Sequence, residues 1–249
     1  MKQLLVFDLV GPMAHFRKFY TNSSSLSYHF PPRTTLMGII AALLGRDRDS
    51  YYEEFSLERA RIGVALKTPV RTLMQTVNYL YTKDEGWDGS KGHTQIPLEL
   101  VLPRPPERRL RYRIYFTHDD EALLEKLYGQ LQGERYKYPL YLGLTECPAW
   151  VESPQLYEAS ELNIRCDFEG ALPVETAVPL PRLAGEVKLQ EGLRIYKDRM
   201  PLDFRSDRRL KAVSEVLWEA EGRPLSLPIR GEVFQLPAQE NFGVFLEVE

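Results

Sequence analysis

Cysteine is nearly absent from this chain of 249 residues: Cys147 and Cys166 are the only two. Neither stands in a Cys-x-x-Cys or Cys/His spacing, so no zinc site is expected and the two are read as reduced, partly buried thiols. Long apolar runs are missing as well. No stretch approaches the roughly 18 apolar residues that a spanning helix needs. The N-terminal MKQLLVFDLVGP turns to Gly-Pro before it could form a signal peptide and lacks a small-residue cleavage pattern. A strand is expected there, in a cytoplasmic protein with no membrane partner. Catalytic signatures are equally scarce: His15, His29, His93 and His118 are scattered, and no HExxH, paired-carboxylate or Ser/His/Asp pattern is legible. No metal and no cofactor are expected.

What is present is an ordinary globular composition, 43% apolar and 27% charged, in a chain long enough to bury a core without disulfides. The net charge of −3 argues against nucleic-acid binding over the whole surface. Its distribution argues otherwise. Residues 1–48 carry Lys2, Arg17, Lys18, Arg33, Arg46 and Arg48 against Asp8 and Asp47, and 104–113 carry five arginines against Glu107 alone. One basic face, the footprint of a polyanion, is the reading weighed against plain solvated surface charge.

Periodicity supplies the elements. A strand at 2–9 is apolar on both faces and therefore central in a covered sheet. Leu36, Ile39, Ile40, Leu43 and Leu44 recur at helical spacing between Pro31-Pro32 and Gly45, which predicts a helix over 33–44. Strands follow at 60–67 and 109–117, a helix at 119–132 and a strand near 147–153. This β-α-β-β-α-β order predicts an α+β, ferredoxin-like domain over 1–153. Residues 70–100 read as an inserted β-hairpin whose tip, DEGWDGSKG, is too polar for core. A small C-terminal β-rich domain is expected over 154–249, with 207–220 open between helix and strand and leaning to a strand paired with GRPLSLPI.

The loop 11–35 places Phe16, Arg17, Lys18, Phe19, Tyr20, Ser23–Ser25, Tyr28, Arg33, Thr34 and Thr35 between a central strand and a helix N-terminus. Cations pair with phosphate, aromatics stack on bases, and helix N–H groups donate to phosphate oxygens, so the mixture suits single-stranded RNA. The alternative is an irregular loop whose aromatics tuck into the domain. In the strand at 109–117, Leu110, Tyr112, Ile114 and Phe116 face the core, while Arg109, Arg111, Arg113 and Tyr115 form a basic face suited to a nucleic-acid backbone or an acidic partner. A metal-free ribonuclease needs only Tyr28 with His29, His93 or His118 to move protons.

Phe7, Gly11, Ala14, Phe16 and Arg17, followed by Ser25, Tyr28, Pro31, Pro32, Thr35, Gly38, Ala42 and Gly45, resemble the N-terminal signature of CRISPR-associated Cas family five, in the repeat-associated (RAMP) superfamily. TQIPLELVLP, RLRYRIYF and YPLYLGLTECPAWVE continue the likeness over roughly residues 4–152. The resemblance implies a non-catalytic subunit of a type I Cascade surveillance complex, type I-B-like, acting in antiviral defence. It would hold the 5′ handle of the guide (cr)RNA, cap the backbone filament, and meet the backbone subunit, the large subunit and target DNA within the complex. Gly11, Phe16, Arg17, Ser25, Tyr28, Arg33, Thr34 and Thr35 would line the handle groove, joined by Lys18, Tyr20 and Arg46. The hairpin would be a thumb over 78–94, with Tyr81, Trp87, Lys91 and His93 as its contacts. The runner-up is a metal-independent endoribonuclease processing CRISPR repeat RNA, as in type I-C systems, with Tyr28 as the catalytic tyrosine. There the family's Lys-His pair is replaced by His118 followed by Asp119 and Asp120. A DNA-reading regulator has less support, since no helix-turn-helix is visible.

Overall fold

The computed structural model describes residues 1–22, 24–82, 86–166, 168–187 and 191–248. Strand β1 (Gln3–Gly11) is buried along its whole length, as its unbroken apolar pattern requires. Leu5, Phe7 and Leu9 enter the main core, while Leu4 and Val6 on the opposite face pack with Tyr115, Phe234 and Phe245. Helix α1 (Arg33–Leu44) follows and stops where Gly45 takes a left-handed φ of 73°, directing its own N–H and that of Arg46 back to the last carbonyls. Strand β2 (Ala60–Leu66) comes next, then β3 (Val70–Leu80), β4 (His93–Pro103), β5 (Leu110–His118), helix α2 (Glu121–Gln132) and β6 (Trp150–Glu158). The Asp120 carboxylate caps α2 by accepting from the Ala122 and Leu123 N–H groups. The architecture is mixed α/β, mostly strands with two α-helices among the described residues. Strands β2, β5, β1 and β6 form one antiparallel sheet in that order, and both helices pack on it.

Strands β3 and β4 form a separate two-stranded hairpin, paired without a bulge from Val70 opposite Pro103 to Leu80 opposite His93. Its outer half is exposed, with Met74, Tyr79 and Leu80 in solvent, and Trp87 beyond the strand ends is 72% exposed. Residues 83–85, the last two of which begin the tip read from the sequence, lie outside the described residues.

The basic face expected on β5 is corrected by its neighbours. Arg111 reaches Asp8 at 3.0 Å and Glu152 at 2.6 Å, and Arg113 reaches Asp8 at 2.8 Å. Tyr115 is fully buried, its hydroxyl donating to Glu175. Sheet pairing sets Asp8 opposite both Arg113 and Glu152, so the acidic partner of this face lies within the chain itself.

The C-terminal segment forms a three-stranded sheet, in which β7 (Ile195–Phe204) and β8 (Leu210–Glu219) pair, and a five-stranded sheet of very short strands. Strand β8 therefore pairs with β7 and not with 222–229 as the sequence suggested. A tight turn closed by the Arg205 N–H to the Arg209 carbonyl joins β7 to β8. After β8 the chain is turned away: the buried Glu219 carboxylate accepts the N–H groups of Arg194, Glu221 and Arg223, and Gly222 passes too close to the Leu66 carbonyl for any side chain. Met200, Leu202, Val216, Trp218 and Leu246 join the same apolar core as α1 and β1. Among the described residues no helix is long and apolar enough to cross a membrane.

Arg33, expected to face RNA, is instead fully buried at the junction of these parts. Its guanidinium donates to the carbonyls of Leu202 (2.8 Å), Phe55 (3.0 Å) and Ala60 (2.6 Å), with Asp203 at 3.8 Å. Burial pulls its pKa down to about 10, against the field of Asp203, so it stays charged at neutral pH. Arg33→Met is expected to cost about 3–5 kcal/mol, because it takes the donor from three interior carbonyls, while Asp203 keeps Lys211 at 3.4 Å. Urea unfolding, read as a lowered midpoint with an unchanged slope, checks this.

Candidate nucleic-acid interface

The loop between β1 and α1 is held by hydrogen bonds to β4 and is no irregular excursion. Ala14 and Val101 exchange both main-chain bonds; Ser25 donates to the Pro97 carbonyl and accepts from the Glu99 N–H. The Glu99 carboxylate takes the Ser27 N–H at 2.9 Å, and its main-chain carbonyl lies 2.8 Å from His15 Nδ1. On the other side the His15 N–H reaches the Leu142 carbonyl, and the chain passes so closely at Gly143, φ 90°, that a Cβ there would sit 1.8 Å from the His15 carbonyl oxygen. The loop is thus clamped between the hairpin base and the turn that precedes β6.

The clamp leaves a groove of about 1020 Å³ whose walls are this loop, the outer side of α1, the hairpin, the 138–144 turn and residues 201–208. Arg17, Arg46, Arg48 and Arg208 line it, as do Phe19, Tyr51, Tyr52, Tyr79, Tyr138 and Tyr141. Among the described residues no Asp or Glu does. Helix α1 begins at this wall with Pro32 as its N-cap and no side-chain cap, so the N–H groups of its first turn add partial positive charge beside Thr34 and Thr35.

Of the residues singled out from sequence, Arg17, Ser25, Thr34, Thr35 and Arg46 meet in this groove. Arg46 is held by both oxygens of Glu54, a pairing that raises its pKa, whereas Arg17 is exposed and among the described residues engages the Thr21 carbonyl alone. Five others are corrected alongside Arg33. Phe16 also borders the groove, but its ring is buried edge-on against Tyr112 and unavailable for stacking. Gly11 is buried where a Cβ would strike Leu142 and the Pro148 carbonyl, a packing constraint, and is not among the residues that line the groove. Tyr28 is 1% exposed and donates to the Arg199 carbonyl at 2.6 Å; burial pushes its phenol far above the usual range. The ribonuclease reading therefore loses its tyrosine. Lys18 and Tyr20 are both bound to Asp198, off the groove, which removes Lys18 as a free cation. Tyr81, Trp87, Lys91 and His93 lie on the hairpin outside the groove lining, and Ser23 lies outside the described residues.

Sequence reasoning missed Arg48, Tyr51, Tyr79, Tyr138, Tyr141 and Arg208. The legible signal was YKYPLY at 136–141, too tyrosine-rich and too broken by proline to be a strand, just before the glycine turn.

The remaining histidines are structural. His118 is buried, its Nε2 at 2.8 Å from the Glu54 carbonyl, and His29 lies edge-on to Tyr196 and Trp218. Burial lowers the pKa of both His15 and His29. The unfolded chain then binds more protons than the folded one below the free value near ~6.5, so stability present above that pH is lost on acidification. The urea midpoint is expected to fall between pH 7.5 and 5.5, and His15→Gln to flatten part of the fall.

The fold is one shared with CRISPR proteins. A crystal structure of a CRISPR protein from Archaeoglobus fulgidus matches with a TM-score of 0.60 at 12% identity, covering 98% of this chain and 99% of that one. A chain of a CRISPR RNA-guided surveillance complex matches at 0.51 and 16% identity, covering 95% of each. The family model for the CRISPR-associated protein (Cas_Cas5) family matches residues 4–163, and the chain belongs to that family. No curated protein matches the sequence.

Proposed function

We propose that this protein is a non-catalytic, RNA-binding subunit of a type I, I-B-like Cascade surveillance complex, which holds the 5′ handle of the guide RNA and caps the backbone filament in antiviral defence. The observation that carries the reading is the groove: arginines and tyrosines, no carboxylate among its described lining residues, and an uncapped helix N-terminus at its wall. Phosphates would meet Arg17 and Arg48, and unstacked bases would lie on Tyr79, Tyr138 or Tyr141. Family membership and the likeness to a chain of a surveillance complex support assembly with guide RNA and other subunits. The β2-β5-β1-β6 order with two helices supports a ferredoxin-like, RAMP-type description of the first 153 residues, with the β3–β4 hairpin as thumb and the rest as a C-terminal β-rich domain.

Arg17→Ala and Arg48→Ala are each expected to weaken binding of a single-stranded RNA carrying the repeat sequence of the host's own CRISPR array, and to reduce the salt slope by about 0.7. Filter binding at several salt concentrations measures both; unchanged affinity and slope would retire the groove. Cleavage of that RNA without metal is not expected, and Tyr28→Phe should leave the RNA intact and the affinity unchanged, as gel analysis after prolonged incubation would reveal.

The exposed Trp87 is the side chain of the hairpin best suited to anchor a neighbouring subunit. Trp87→Ala should leave the unfolding curve unchanged, since an exposed ring contributes few contacts to its own domain. Incorporation into the complex should fall, measured by co-purification with guide RNA and the other subunits.

A further inference from the structure

Ser25 and His15 form a pair in the groove wall whose hydrogen-bond polarity can be worked out. The Glu99 main-chain carbonyl, 2.8 Å from His15 Nδ1, can only accept, so Nδ1 carries the proton. In the neutral ring Nε2 is then bare. Ser25 Oγ lies 2.9 Å from Nε2 and must donate to it. The main-chain N–H and C=O of Ser25 are both spent on β4, which fixes the residue and leaves the hydroxyl oxygen as its free polar atom toward the groove. That oxygen offers lone pairs and no hydrogen. Turning the O–H to a ligand would leave the buried Nε2 without a partner.

We propose that Ser25 is a specificity residue acting as an obligate acceptor: it takes a hydrogen bond from a donor on the bound strand, a ribose 2′-hydroxyl or a nucleobase N–H, and refuses a phosphate oxygen. His15 is its positioning residue, held in one tautomer by Glu99. Phosphates belong to Arg17 and the helix N-terminus instead. The inference rests on the RNA-binding reading and adds to it a position at which the protein reads the strand and does not merely attract it.

The experiment uses the full-length protein and the repeat-sequence RNA, substituted one position at a time with a 2′-deoxynucleotide, with a base analogue lacking one N–H, or with an uncharged methylphosphonate. One deoxy or one base substitution should weaken wild type about threefold to tenfold. Ser25→Ala should show that loss on the unmodified RNA and be indifferent to the same substitution, while Ser25→Thr recovers affinity and discrimination. Which substitution couples tells ribose from base. Coupling of Ser25→Ala to a methylphosphonate, or to no substitution, would overturn the proposal with RNA binding intact. The nitrogen-15 spectrum of His15 is an independent arm: a proton on Nδ1 is expected, and one on Nε2 overturns the acceptor assignment whatever the RNA does. Failure of wild type to bind any strand, with Nδ1 protonated, would instead bring down the RNA-binding reading on which the inference rests.

Discussion

Arg33 is the constraint on which the rest of the structure depends. A guanidinium stripped of water must find partners on every side, and its partners come from two separate stretches: Phe55 before β2 with Ala60 at its first position, and Leu202 with Asp203 on β7. None of these segments can shift without stranding the charge. The first turn of α1, the approach to β2 and the C-terminal hairpin are therefore locked in one arrangement. Because Arg33 is the first residue of α1, the same lock holds Thr34 and Thr35 at the groove wall.

Charge in this molecule is sorted by whether a carboxylate stands opposite. Arg61 and Arg182 converge on Glu247, Arg104 meets Glu221, and Arg111 and Arg113 share Asp8, so these cations knit segments far apart in sequence and offer nothing outward. The groove is where carboxylates are missing from the lining. Glu54 and Asp49 partner Arg46, Arg48 and Arg208 from behind, leaving Arg17 as the groove arginine with no carboxylate partner among the described residues, and the concave wall focuses its field. A net negative protein can in this way present one local site for a polyanion.

The groove is also where structural and functional demands meet. Glu99, His15, Ser25 and Gly143 pin the loop to the hairpin base and the 138–144 turn, so the exposed side chains on it are presented by a rigid frame. Rigidity of this kind lowers the ordering cost of binding.

Helix α1, the buried β1 and the paired hairpin strands were legible from sequence alone, because each carries its own period and its own stop signals: Pro31-Pro32 and Gly45 around the helix, the polar tip between β3 and β4. The family likeness was legible for a similar reason, being written in a short span between Phe7 and Gly45. What tertiary structure alone decided was the meaning of individual charged and aromatic residues. Arg17 and Arg33 look alike in the sequence, yet one is exposed and the other wholly enclosed, because Asp203 arrives from 170 positions away. Tyr28 and Tyr138 differ in the same way. Local pattern sets where the backbone hydrogen-bonds to itself, whereas the availability of a side chain to a ligand depends on partners that only the folded chain brings near.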